Sequence, residues 1–255
     1  MKLFTGRNKE LLLKTGSAVL AIVLWQAVAM CVGNRLLLAT PLQVADRLFT
    51  LLGEGDFWSS VLFSMLRILL GFLLAALTGL LAGLAAGRFH ALEILLKPYV
   101  TVMKSVPVAS FIILFLLWLS FSQLTVFIAF LIAFPVIYSN VLQGVKNVSR
   151  QMHEMADVFA IKGTRRLLYI TMPAVKPFFI SACSVAMGMA WKAGVAAEVI
   201  GLIGGSIGEK LYNAKIYFQN AELLAWTLVI ILLSLIGEKL CTLNLKGIFK
   251  GLEKL

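Results

Sequence analysis

The chain has 255 residues, of which 60% are hydrophobic, and a mean hydropathy of +0.95; one water-soluble core cannot hide that much apolar surface. Its formal net charge is +11, yet the basic residues fall in short stretches between apolar runs, a membrane-topology pattern that argues against a nucleic-acid partner. Cys31, Cys183 and Cys241 lie in apolar runs without shared spacing, and His90 and His153 are isolated, which excludes a disulfide framework and a metal cluster and calls for no cofactor.

Met1 to Lys14 is polar and basic. Residues 15–32 form the first apolar run, in which Ala27-Val28-Ala29 mimics a signal cleavage site; five further spans follow, so the run is read as a retained helix. Residues 34–57 hold Pro41, Gly53 and Gly55, with a short amphipathic helix expected over 42–52. A second span covers about 60–87 and carries Gly71, Ala75, Gly79, Gly83 and Gly87, a small residue at every fourth position. That ridge is read as a surface for close helix packing in lipid. Arg88, His90, Glu93 and Lys97 form a polar connector. The third span, about 98–119, contains Lys104 and Pro107, and the proline predicts a bend there. A tight turn is expected at 120–123, then a fourth span over 124–142.

Residues 151–177, QMHEMADVFAIKGTRRLLYITMPAVKP, are the longest segment without a membrane-length apolar run, apart from the two ends and two external loops. Read as a helix from Ser149, Met152, Met155, Ala156 and Phe159 share one face, and Arg150, Glu154 and Asp157 the other. Ala160-Ile161-Lys162-Gly163 reads as a break in which Gly163 supplies a positive-φ stop, and Thr164 as the cap of a second short helix carrying Arg165 and Arg166. Pro173 and Pro177 are placed at the opening of the next helix. The competing reading of this stretch is an amphipathic connector lying on lipid headgroups. The fifth span, about 177–199, bears a second small ridge, Ala182, Ala186, Ala190 and Gly194, running on to Glu198. Residues 201–219 read as a glycine-rich loop, 221–240 as a sixth span, and the remainder to Leu255 as a basic tail.

Glu154-Met155-Ala156 followed by Ile170-Thr171-Met172-Pro173 resembles the cytoplasmic EAA loop of binding-protein-dependent ABC transporter permeases. Two positions depart from that pattern: Met155 replaces an alanine, and Ala160 stands where the family has glycine. Lys104-Ser105-Val106-Pro107 resembles the proline-rich start of the third family helix. Ala190-Trp191-Lys192-Ala193-Gly194-Val195-Ala196-Ala197-Glu198 resembles the fifth-helix signature of nitrate/sulfonate/taurine-type permeases. The resemblance covers about residues 40–242. It implies a type I importer permease bundle, a homodimer of this chain, a dimeric ABC ATPase and an extracytoplasmic solute-binding protein. It makes Met152, Glu154, Met155, Ala156, Phe159, Ala160 and Gly163 the ATPase-coupling residues. Lys104, Pro107, Trp191, Lys192 and Glu198 are placed on the translocation pathway.

Charge counting orients the chain independently. Lys2, Arg7, Lys9 and Lys14, Arg88 and Lys97, Lys146, Arg150, Lys162, Arg165 and Arg166, and Lys239, Lys246, Lys250 and Lys254 fall on one side, fifteen in all. Only Arg35, Arg47, Lys210 and Lys215 fall on the other. The bias places both termini and the 147–172 loop in the cytoplasm. No Ser/His/Asp set or metal-ligand spacing appears, and 205–210 (GSIGEK) lacks phosphate-loop spacing, so no catalytic residue is assigned.

The reading is an all-α polytopic membrane protein with six transmembrane helices. It has a basic N-terminus at 1–14, a permease domain at 15–241 and a tail at 242–255. The function expected is import of a small anionic solute, with ATP hydrolysed by the partner. The alternative, an ion-gradient-driven transporter or channel, calls for intramembrane ionisable relays and often for internal repeats. Only Arg67, Lys104, Lys176, Lys192 and Glu198 lie near membrane depth. A membrane scaffold is the third reading.

Overall fold

The structure, a computed structural model, describes residues 4–34 and 37–252. Lys2, Arg35 and Lys254 lie outside the described residues. Among the described residues the regular structure is helical. In order the helices are α1 (Phe4–Val32), α2 (Pro41–Leu52), α3 (Gly55–Arg88), α4 (His90–Ser105), α5 (Val108–Phe115) and α6 (Phe121–Lys146). They continue as α7 (Arg150–Val158), α8 (Gly163–Arg166), a π-helical turn (Leu167–Thr171), α9 (Met172–Gly201), α10 (Ile207–Ile216) and α11 (Asn220–Leu252).

Among the described residues, five helical segments are long and apolar enough to cross a membrane, within α1, α3, α6, α8 to α9 and α11. A sixth crossing exists only as α4 and α5 together, and these meet at 101°. The expected bend in the third span is therefore a complete break: α4 ends at Ser105, and Pro107, which has no N–H to donate, stands at the N-cap of α5. Other boundaries also move. The helix leading into the fifth span begins at Gly163, so Pro177 lies inside it rather than at its start. The expected turn at 120–123 is the first turn of α6, with Ser120 at the N-cap position, and the expected loop at 201–219 contains α10. The basic ends are helical too, since α1 starts at Phe4 and α11 runs to Leu252.

The chain divides into two compact units, residues 1–59 with 210–229 and residues 60–209 with 230–255. In the first, Thr40 and Gln43 form a reciprocal capping box at the start of α2. Arg47 bonds Glu222 at 2.7 Å and pairs with Glu54 at 3.2 Å. Burial works against the charged Arg47 guanidinium, but Glu222 and then Glu54 outweigh it and hold its pKa above the ordinary value. Phe57 stacks on the buried Trp226 at 5.0 Å between centroids.

In the larger unit α6 and α9 are the central pair, with Ile128, Ala133, Ile137 and Val141 fully enclosed. The glycine ridge of α3 lies against α6 four residues at a time. A Cβ at Gly71 would collide with the Val126 carbonyl, and one at Gly79 would come within 3.0 Å of Ile137. At Gly83 it would lie 2.7 Å from Val141, and at Gly87 2.5 Å from Val145. Leu66, Leu70, Leu73, Leu77 and Leu81 are exposed on the same helix. One stripe of α3 thus admits a neighbouring backbone and another is left for lipid. The second ridge does the same for α9: Ala182, Ala186, Ala190 and Gly194 are buried, and a Cβ at Gly194 would meet Ile68 and Thr125.

Candidate functional site

The α7–α8 connector is built from short polar locks. The Ser149 hydroxyl accepts from the Met152 N–H at 3.3 Å and caps α7. Arg150 donates to Glu154 at 2.8 Å across one turn of the exposed face. Arg166 on α8 reaches back to Asp157 at 2.7 Å and to His153 Nδ1 at 2.9 Å, tying the two helices together. Ala156 is fully buried. Met152 and Met155 are partly exposed, and Val158 and Phe159 are 82% and 72% exposed.

The helix stop differs from expectation. Ala160 itself takes the left-handed conformation (φ +53°), its N–H bonding the Asp157 carbonyl at 3.1 Å while the Ile161 N–H bonds the Ala156 carbonyl at 2.8 Å. That pair of bonds is a Schellman turn. Gly163 is also left-handed (φ +60°), but it opens α8 rather than closing α7. Thr164 is not the cap: α8 begins one residue earlier, behind Lys162, without a side-chain cap bond. The turn surrounds a cavity of about 470 Å³ lined by Phe159, Ala160, Ile161, Lys162, Thr164 and Arg165.

The five residues placed on the pathway separate into two groups. Lys104, Pro107 and Lys192 are exposed. Lys104 Nζ donates to Ser139 Oγ at 2.6 Å, and that hydroxyl donates to the Pro135 carbonyl at 2.7 Å. Trp191 and Glu198 are instead enclosed within the larger unit, Trp191 3% and Glu198 0% exposed. Glu198 and Lys192, though both on α9, therefore lie on different faces.

Around Glu198 the structure brings together residues that sequence reasoning missed. Ser64 Oγ donates to Glu198 Oε2 at 2.7 Å and accepts from the Ile207 N–H at 2.9 Å; the Gly208 N–H donates to the same Oε2 at 3.3 Å. Ser206 bonds the Ile203 carbonyl at 2.6 Å and accepts from the Glu209 N–H at 3.0 Å. A Cβ at Gly208 would collide with the Glu198 side chain and backbone, so only glycine lets the 202–208 segment approach this closely. Arg67 lies 3.5 Å over the Phe63 ring and near enough to Glu198 for their charges to interact. The available signal was the pair Ser60 and Ser64, both buried, one turn apart in an otherwise apolar run.

The profile of the family described as binding-protein-dependent transport system inner membrane component matches residues 75–243. The chain is 28% identical over 237 residues to a putative ABC transporter permease protein of Methanocaldococcus jannaschii, covering 91% of this chain and 89% of that one. It is 30% identical over 220 residues to the putative aliphatic sulfonates transport permease protein SsuC of Escherichia coli, covering 85% and 82%. It is 25% identical over 238 residues to the taurine transport system permease protein TauC of Escherichia coli, covering 91% and 86%.

Proposed function

Because this chain belongs to the family of binding-protein-dependent transport system inner membrane components, we propose that it is the permease subunit of an ATP-driven importer for a small anionic solute of the sulfonate type. It works as a homodimer in the cell membrane with both termini cytoplasmic. A separate dimeric ABC ATPase hydrolyses ATP, and an extracytoplasmic binding protein delivers the solute.

The observation that carries this reading is the apolar edge of α7. Val158 and Phe159 stand almost free of contact on a connector held by Arg166 and by the Schellman turn at Ala160. A rigid, exposed apolar edge of this kind suits a groove on a soluble partner. Met152, Met155 and Phe159 supply the anchors, Glu154 a charge at the rim, and Ala156 fixes the helix from behind. The anion preference rests on Lys104 and Lys192, exposed cations on α4 and α9, and on the sulfonate and taurine permeases that the chain resembles. Ion-gradient transport has one observation in its favour, the buried Glu198 carboxylate. Its bonds to Ser64 and Gly208 favour a structural role over proton relay.

The test is uptake of taurine and of an alkanesulfonate into proteoliposomes holding this chain with the ATPase and binding protein of its operon. Uptake is expected to require ATP and both partners and to survive a protonophore. Lys192→Met is expected to lower uptake roughly 10- to 100-fold, the equivalent of one charged contact of about 1.5–3 kcal/mol, with ATPase docking unchanged. Uptake that needs no ATPase and collapses with the proton gradient would overturn the importer reading. Wild-type uptake by Lys192→Met would remove this lysine from anion selection.

A further inference from the structure

Lys176 and Lys246 converge on one cavity although they lie seventy positions apart in the sequence. The cavity, about 620 Å³, opens between α9 and α11, the helices of two candidate spans, within the larger unit. Its volume falls inside the roughly 300–1,000 Å³ typical of ligand pockets. Ser181 adds a hydroxyl to the lining and Ile180 and Val185 add hydrocarbon, while the Thr242 hydroxyl donates to the Glu238 carbonyl at 2.9 Å. Ser184, also in the wall, donates to Glu238 at 2.6 Å. Lys176 also faces the Phe249 ring at 5.8 Å, and Phe249 meets Phe179 edge-on at 6.3 Å. These contacts hold the end of α11 against the start of α9.

Both cations lie at one end, Lys176 toward the start of α9 and Lys246 toward the end of α11, while Ile180 and Val185 line the wall further along α9, interleaved with Ser181 and Ser184. Free phosphate would use only the polar end. A solute crossing the membrane would be retained by the apolar end. A phospholipid with an anionic headgroup uses both, its phosphate at the lysines and Ser181 and its acyl chain along Ile180 and Val185. We propose that this cavity is a binding site for an anionic phospholipid, held at the membrane surface next to the α7–α8 connector. Basic pockets between spanning helices are suited to such headgroups. In the orientation argued above, the site faces the cytoplasmic leaflet. The proposal goes beyond the transport reading, since it concerns neither the solute nor the ATPase.

A half-buried Lys176 and an exposed Lys246 can also simply extend to the lipid surface without selecting among headgroups. The experiment separates these cases. The full-length purified chain is titrated in detergent with phosphatidylglycerol, with phosphatidylcholine of the same acyl chains, and with inorganic phosphate. Bound lipid is counted by native mass spectrometry. Phosphatidylglycerol is expected to bind saturably with one site per chain, and phosphatidylcholine at least about tenfold more weakly. The pair Lys176→Gln with Lys246→Gln is expected to weaken phosphatidylglycerol binding roughly thirtyfold, about fivefold for each lysine near a charged headgroup. Lys176→Arg with Lys246→Arg is expected to restore it. Because lipid is counted on intact, folded chains, a variant that merely unfolds is recognised by its charge-state distribution, and the arginine pair then decides. Equal binding of the two lipids, unchanged binding by the glutamine pair, or competition by millimolar inorganic phosphate alone would each overturn the proposal. So would a cysteine at Ser181 that crosslinks two copies of the chain, since a second subunit would then fill the cavity.

Discussion

Ser64 on α3 donates a 2.7 Å hydrogen bond to Glu198 on α9, and neither side chain has measurable exposure. The same hydroxyl accepts from the Ile207 N–H, so one oxygen joins two helices and the backbone of a third. Ser64→Ala is expected to cost about 1–3 kcal/mol by leaving buried groups short of partners. Glu198→Ala should cost more, because it strands both the Ser64 hydroxyl and the Gly208 N–H. Glu198→Gln, still able to accept, should be milder. Thermal unfolding in detergent reads all three. Coupling of roughly 0.5–3 kcal/mol is expected in the double variant; strict additivity would show that the bond contributes nothing as a pair.

The α3 ridge makes a sharper contrast between two glycines. Gly71→Ala drives a methyl into the Val126 carbonyl, whereas at Gly188 the nearest atom is Ser234 Oγ at 3.9 Å. Overpacking of this kind costs typically 1–3 kcal/mol. Gly188→Ala should instead be neutral or stabilising by up to ~1 kcal/mol through helix propensity. The folded yield and melting temperature are expected to fall for Gly71→Ala and to hold or rise for Gly188→Ala.

Ala160 offers a gain. A left-handed conformation costs a non-glycine residue about 1–2 kcal/mol, so Ala160→Gly should stabilise the connector, partly offset by the larger entropy of glycine in the unfolded chain. Ala160→Val should destabilise it, since a β-branched side chain fits φ +53° poorly. Hydrogen exchange of the Ile161 amide, which closes the turn onto Ala156, is the direct measure: slower in the glycine variant, faster in the valine one.

Docking of the ATPase should respond most strongly at Phe159. Phe159→Asp puts a charge into the proposed apolar contact and is expected to cost at least about 2 kcal/mol, roughly a thirtyfold loss of affinity. Glu154→Lys also breaks the pair with Arg150, but that pair is exposed and worth only about 0.3–0.5 kcal/mol. Its effect on docking should be several-fold and dependent on salt. Pull-down of the ATPase by purified permease at two ionic strengths separates the two. Wild-type retention by both variants would take α7 out of the coupling role.

Most of the helical layout was legible because hydrophobic runs of membrane length and a four-residue small ridge are strong periodic signals. Gly71 to Gly87 named the packing face, and the structure shows what packs there. Three things were not legible. The stop of α7 was assigned to Gly163 on the rule that glycine takes positive φ; Ala160 takes it because two Schellman bonds outweigh a penalty of a kilocalorie or two. The bonding partners of Glu198, Ser64 and Gly208, lie 134 and 10 residues away, and no local spacing announces either. Pro173 does stand in the first turn of α9, but Pro177, which also looks like a helix opener, lies inside it, and the helical run continues back through the π turn to Gly163.

The break at Pro107 has a consequence for where oil and water meet this protein. An unbroken helix satisfies its own backbone and can face hydrocarbon on every side; a crossing interrupted at 106–107 cannot, because the Met103 carbonyl has no N–H four residues on. Exposed backbone acceptors at that depth must find donors in water or in another polypeptide. Lys104, Pro107 and their surroundings, exposed in the isolated chain, are therefore barred from the acyl region. That corner of the subunit has to look onto an aqueous vestibule or onto a neighbouring subunit, and the lipid annulus must begin elsewhere, along the leucines of α3.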